Sequence, residues 1–130
     1  MAKKSLLLVD DETEFVVTLS ERLALRNFDS SCVFSGDDAL QRITARKPDV
    51  MVLDLKMPGT DGMEILRQVR KNHPDIQVII LTGHGSEKDE RDARRLGAFE
   101  YLNKPVDIET LTEHIRRAYD HKTNAAAAEP

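Results

Sequence analysis

The chain has 130 residues, which suits one domain able to bury roughly two-thirds of its unfolded surface without a metal or disulfide. A net charge of -4 with both signs mixed, and an aromatic content of 5%, argue against direct nucleic-acid binding. The single cysteine, Cys32, excludes an internal bridge, and no run nears the ~20 apolar residues of a membrane span, so a soluble, cytoplasmic protein without a leader or membrane contact is expected.

Strand and helix patterns alternate five times. Ser5–Val9 reads as a short apolar strand, followed by a helix over Glu12–Arg26 with Phe15, Val16, Leu19 and Leu23 at helical spacing. Ser30–Phe34 is a weaker strand. Asp37–Lys47 is a helix on Ala39, Leu40 and Ile43, stopped by Pro48. Val50–Leu53 is continuously apolar, as a central parallel strand covered on both faces must be. Pro58-Gly59 and Asp61-Gly62 punctuate a turn before the Met63–Lys71 helix. Ile76–Leu81 is a second buried strand. Ser86–Leu96 reads as a helix capped by Ser86, but it is almost wholly charged, so only Ala93 and Leu96 anchor it. Phe99–Leu102 is a short strand and Asp107–Tyr119 an amphipathic helix. Residues 1–122 form the predicted domain; 123–130, rich in alanine, are either an extension of the last helix or the start of a cut linker.

Helices between parallel strands predict right-handed crossovers and an α/β, doubly wound five-stranded parallel sheet. The strands end at Asp10-Asp11, Asp54, Thr82 and Lys104. In such a sheet these carboxyl ends share one edge, where ligands bind. Taken singly, each residue has an ordinary reading: a helix cap for Asp10 or Asp11, a turn for Asp54, a β-branched strand residue for Thr82, a solvated lysine for Lys104. Jointly they predict phosphate chemistry. Two carboxylates converging to about 5 Å repel by roughly 3 kcal/mol at an effective dielectric of 20. Lys104 offsets part of this, and a hard divalent cation, Mg²⁺, would offset the rest. Asp54, at the end of the most buried strand, is the candidate nucleophile, since carboxylates form acyl phosphates. His73, His114 and His121 lack metal-ligand spacing and read as surface residues.

The ordered set Leu8-Val9-Asp10-Asp11-Glu12, Asp54-Leu55-Lys56-Met57-Pro58-Gly59, Leu81-Thr82-Gly83-His84, Gly97-Ala98 and Tyr101-Leu102-Asn103-Lys104-Pro105 resembles the receiver domain of two-component response regulators, the CheY-like family, from about Ser5 to His121. The resemblance implies a flavodoxin-like (βα)5 sheet of order 2-1-3-4-5. It implies a phosphorylation-controlled signalling switch rather than an enzyme with substrate turnover. Asp54 would accept phosphate from a sensor histidine kinase or phosphotransfer protein. Asp10, Asp11, Asp54 and the backbone carbonyl of Lys56 would hold Mg²⁺, while Thr82 and Lys104 would bind the phosphoryl group. Thr82 and Tyr101 would form the switch pair, Tyr101 turning inward as Thr82 moves, and the Lys104–Pro105 bond would be cis. The fourth helix, fifth strand and fifth helix would meet a downstream target or effector domain. A homodimer through that face is compatible with the family, though no residue demands it. The chain would be a stand-alone receiver or the N-terminal part of a transcriptional regulator. Lys56 and His84, two residues beyond Asp54 and Thr82, sit at positions resembling those that tune phosphoryl lifetime in the family. The alternative is a phosphohydrolase of the haloacid-dehalogenase type, against which Lys56 counts, because that family wants an acid at this position.

Overall fold

A computed structural model describes residues 3–128, with side chains through Lys122. Five strands, β1 (Lys4–Val9), β2 (Phe28–Val33), β3 (Val50–Leu53), β4 (Gln77–Thr82) and β5 (Glu100–Asn103), alternate with α1 (Thr13–Ala24), α2 (Gly36–Ala45), α3 (Gly62–Asn72), α4 (Glu87–Arg95) and α5 (Ile108–Ala128). The strands form one sheet in the order β2-β1-β3-β4-β5, and every neighbouring pair is parallel. The expected α/β fold and strand order are both present. The predicted division after residue 122 falls inside α5, which continues to Ala128; residues 129–130 lie outside the described residues.

Successive strand residues point to opposite faces, and both faces are covered. Leu7, Val9, Met51, Leu53, Val78 and Ile80 pack with α2, α3 and Ala93 of α4. Leu6, Leu8, Val50, Val52, Ile79 and Leu81 pack with Val16 and Leu23 of α1 and with Leu111, Ile115 and Ala118 of α5. The continuous apolar runs of β3 and β4 follow from this two-sided burial.

Side-chain caps set several helix starts. Ser35 accepts from the Asp38 amide at α2, and Asp61 from the Met63 amide at α3, each at 3.1 Å. At α4, Ser86 and Asp89 form a reciprocal capping box. The α1 start departs from expectation: its N-cap is Glu12, with no side-chain cap bond. The Asp10 carboxylate is engaged instead with the Glu12 amide (2.9 Å) and Lys104. As its charge run predicted, α4 buries little: Ala93 is its one fully covered side chain.

Candidate functional site

The sheet hydrogen-bond ladder continues past the strand ends and sets the site in register. The Asp10 amide donates to the Val33 carbonyl (3.2 Å), the Asp54 amide to Val9 (3.0 Å) and the Lys104 amide to Thr82 (2.9 Å). The backbones of these three candidate residues are therefore positioned by bonds to adjacent strands rather than by loop conformation.

Their polar atoms converge. Lys104 Nζ lies 2.6 Å from Glu12 Oε1, 2.8 Å from Asp10 Oδ2 and 3.4 Å from Asp54 Oδ2. Its ammonium also sits 4.7 Å from the centre of the Phe15 ring. Asp54 Oδ1 accepts from the Thr82 hydroxyl (2.9 Å) and the Lys56 amide (3.0 Å). Burial opposes the Lys104 charge, but its bonds to Asp10 and Glu12 and the nearby Asp54 outweigh that and hold its pKa well above the ordinary lysine value. Burial pushes the Asp10 carboxyl up, and the Asp54 charge adds to this; the Lys104 ammonium and the Glu12 amide act in the opposite sense.

Among the described residues, Asp10, Glu12 and Asp54 can each offer one carboxylate oxygen such that the three lie within 4.8 Å of one another. Of the acids expected to converge, Asp10 and Asp54 meet in this group and are joined by Glu12; Asp11 lies outside it. The chain leaves β1 at Asp10, and the turn held by the Asp10–Glu12 bond brings Glu12 back over the strand end. Three carboxylates face one ammonium. A donor set of hard oxygens with excess negative charge fits a divalent cation of the Mg²⁺ type. Lys56 reaches the site through its amide, while its side chain points away to Asp89, with Nζ 3.3 Å from Oδ2.

Asp54 is only 4% exposed. The Lys104 ammonium lies beside its Oδ2 and is itself tied to the exposed Glu12. Tyr101 is buried at 6% exposure with its hydroxyl lacking a hydrogen-bond partner, and Thr82 is fully covered. The structure thus holds Tyr101 inward and Thr82 on Asp54 together. The Lys104–Pro105 peptide bond is cis. His84 is exposed.

Sequence reasoning missed Glu12 as a member of the acid group, because a third consecutive acid at a helix start looks like dipole complementation. Phe15 shares a helical stripe with Val16, Leu19 and Leu23, yet its ring is 37% exposed and turned to Lys104. Sequence reasoning also read His114 as a surface residue, whereas this side chain is half-buried with Nδ1 3.8 Å from Glu100 Oε2.

Comparison with known proteins adds the family. The sequence model described as "Response regulator receiver domain" matches residues 6–116. The chain belongs to the response regulator receiver domains. It is 35% identical over 114 residues to the DNA-binding transcriptional regulator NtrC of Klebsiella pneumoniae, covering 88% of this chain and 24% of that protein. The chain thus spans about a quarter of the length of the curated relatives it matches. Among solved structures it resembles the signal receiver domain of a Luxo repressor protein from Vibrio parahaemolyticus (TM-score 0.91, 28% identity, 98% of each chain). It also resembles a receiver domain from Clostridium thermocellum (TM-score 0.87, 35% identity, 96% of this chain and 99% of the other). Family membership and an exposed lysine at position 56 set the dehalogenase alternative aside.

Proposed function

We propose that this receiver domain is a switch set by phosphorylation of Asp54. The observation that carries the reading is the placement of Asp54 between a hydroxyl donor, Thr82, and an ammonium, Lys104, beside two further carboxylates. In the proposed step an Asp54 carboxylate oxygen attacks phosphorus of a phosphohistidine. The phosphorus–nitrogen bond breaks, its electron pair leaves with the imidazole nitrogen, which takes up a proton, and an acyl phosphate remains. Lys104 balances charge on the transferring group, and the Thr82 hydroxyl donates to one of its oxygens. Asp10, Glu12 and Asp54 would hold Mg²⁺, with Asp11 and the Lys56 carbonyl as further candidate ligands; the bound ion would neutralise charge on the phosphoryl group.

The added charge and acceptors draw Thr82 toward the phosphoryl group, and the space it leaves favours the inward position that Tyr101 already holds in this structure. We assign the readout to the face of α4, β5 and α5, because α4 is thinly anchored. The partners on this reading are a sensor histidine kinase or phosphotransfer protein and a downstream target or effector domain, in the cytoplasm. Among the described residues no helix is long and apolar enough to cross a membrane. Residues 1–122 are the proposed receiver unit and 123–130 the tail. Lys56 and His84 are the proposed modulators of phosphoryl lifetime.

Phosphotransfer from autophosphorylated histidine kinases tests this. A label on the chain that alkali removes as readily as acid is the expected acyl phosphate. An alkali-stable, acid-labile label would mark a phosphohistidine and contradict the assignment.

A further inference from the structure

We propose that Gly85 is a positioning residue of the switch: its bare Cα makes the space that the Tyr101 phenol fills, and any side chain at position 85 would hold Tyr101 outside. This rests on reading Thr82 and Tyr101 as the switch pair.

The geometry is specific. A Cβ at Gly85 would lie 1.5 Å from the Tyr101 hydroxyl oxygen, 2.8 Å from Cζ of the same ring and 2.9 Å from Thr82 Cγ2. One missing methyl group therefore accommodates both members of the pair at once. The need for glycine here is not conformational. Gly59 and Gly97 have φ of 71° and 102°, in the left-handed region, and Gly85 is not among the positive-φ residues. Alanine is thus compatible with the Gly85 backbone and meets only a steric obstacle. Gly83, two residues earlier, supplies the contrast: its Cβ would meet Lys104 Cδ at an ordinary 3.7 Å.

The buried place of Tyr101 is held by packing alone. The ring belongs to the same apolar cluster as Ala93 and Ile80. Its hydroxyl has no hydrogen-bond partner, which is a cost for a buried polar group. Burial, and then the charges of Asp89 and Glu90 in the first turn of α4, push the phenol pKa up, consistent with a hydroxyl lodged beneath that turn. A side chain held inward without a polar tether is easily displaced, so the loss of the Gly85 space is enough to shift it.

The test uses the 130-residue chain carrying Tyr119→Phe. The sequence has two tyrosines and no tryptophan, so Tyr101 becomes the sole tyrosine emitter. Acrylamide quenching of its emission is measured in this parent, in Gly85→Ala and in Gly83→Ala, with and without acetyl phosphate and Mg²⁺. The expected result is a shielded Tyr101 in the parent and in Gly83→Ala, and a severalfold larger quenching constant in Gly85→Ala, approaching that of free tyrosine. Equal shielding in Gly85→Ala and the parent overturns the proposal. Thermal unfolding supplies a second reading. Gly85→Ala should lower the midpoint in the parent and have little effect in a Tyr101→Ala background. An equal drop in both backgrounds, or failure to fold in both, overturns it. If Gly85→Ala exposes Tyr101 while the parent takes up no phosphoryl group, the assignment of Gly85 stands and the phosphorylation reading falls.

Discussion

Lys56 Nζ lies 3.3 Å from Asp89 Oδ2, an ion pair that ties the loop following Asp54 to the first turn of α4. Asp89 has a second attachment: its Oδ2 accepts from the Ser86 amide at 3.1 Å, and its own amide donates to Ser86 Oγ at 3.1 Å. One carboxylate thus serves both as the capping-box partner of α4 and as the contact to the loop after Asp54. With so little of α4 buried, this turn is a large share of its anchorage.

The consequence for stability has a definite sign. The Lys56 side chain is 49% exposed, so the ion pair itself is screened and contributes little. The capping box contributes about 1 kcal/mol. Asp89→Ala should therefore lower unfolding stability by about 1 kcal/mol near neutral pH, and Lys56→Ala by much less. Chiefly the Ser86 amide, aided by Lys56, holds the Asp89 pKa below the usual carboxylate range. A depressed folded-state pKa gives stability that is present above the unfolded value of about 3.9 and is lost as pH falls through the folded value. Urea unfolding should thus find the full Asp89→Ala deficit at about pH 7 and a progressively smaller one as pH falls below about 3.9. A deficit independent of pH would place the effect in packing rather than charge.

Lys104 shares its ammonium among three acids that a metal would also need. Lys104→Gln should therefore do two opposed things: slow phosphoryl uptake from acetyl phosphate by about 10²–10³-fold, and tighten Mg²⁺ binding. Uptake kinetics together with Mg²⁺ titration check both. A parallel loss of metal binding would mean that Lys104 helps build the cation site instead of competing for it.

Asp10 is 4% exposed, and its pKa is raised chiefly by burial. The ionised side chain thus costs stability near neutral pH, and that cost fades as pH falls below the folded value. Asp10→Asn should stabilise the fold by about 0.5–2 kcal/mol while weakening Mg²⁺ binding. Thermal unfolding with and without Mg²⁺ reads both effects. Destabilisation without metal would show that the Asp10–Lys104 bond outweighs the desolvation of its carboxylate.

The strands were legible because two-sided burial writes itself as unbroken apolar runs. Val50–Leu53 is legible to the residue, and the strand ends alone place Asp54, Thr82 and Lys104 on one edge. Boundaries slipped where the signal was local chemistry. β2 begins at Phe28 rather than Ser30, because an edge strand half-covered by α1 carries a mixed pattern. Phe15 misled because helical spacing marks a face and not what covers it; part of the α1 face lies over the site rather than the core. Glu12 and Gly85 were illegible for a different reason. The role of Glu12 depends on how the chain turns after β1. The space at Gly85 exists only because a ring 16 residues later fills it, and the intervening charged helix gives no hint of that contact.

The central claim is that one carboxylate, Asp54, takes the phosphoryl group. Intact-mass measurement after incubation with acetyl phosphate and Mg²⁺ tests it most directly. The account predicts one added phosphoryl group on the parent chain and none on Asp54→Asn. An undiminished adduct on Asp54→Asn would contradict it.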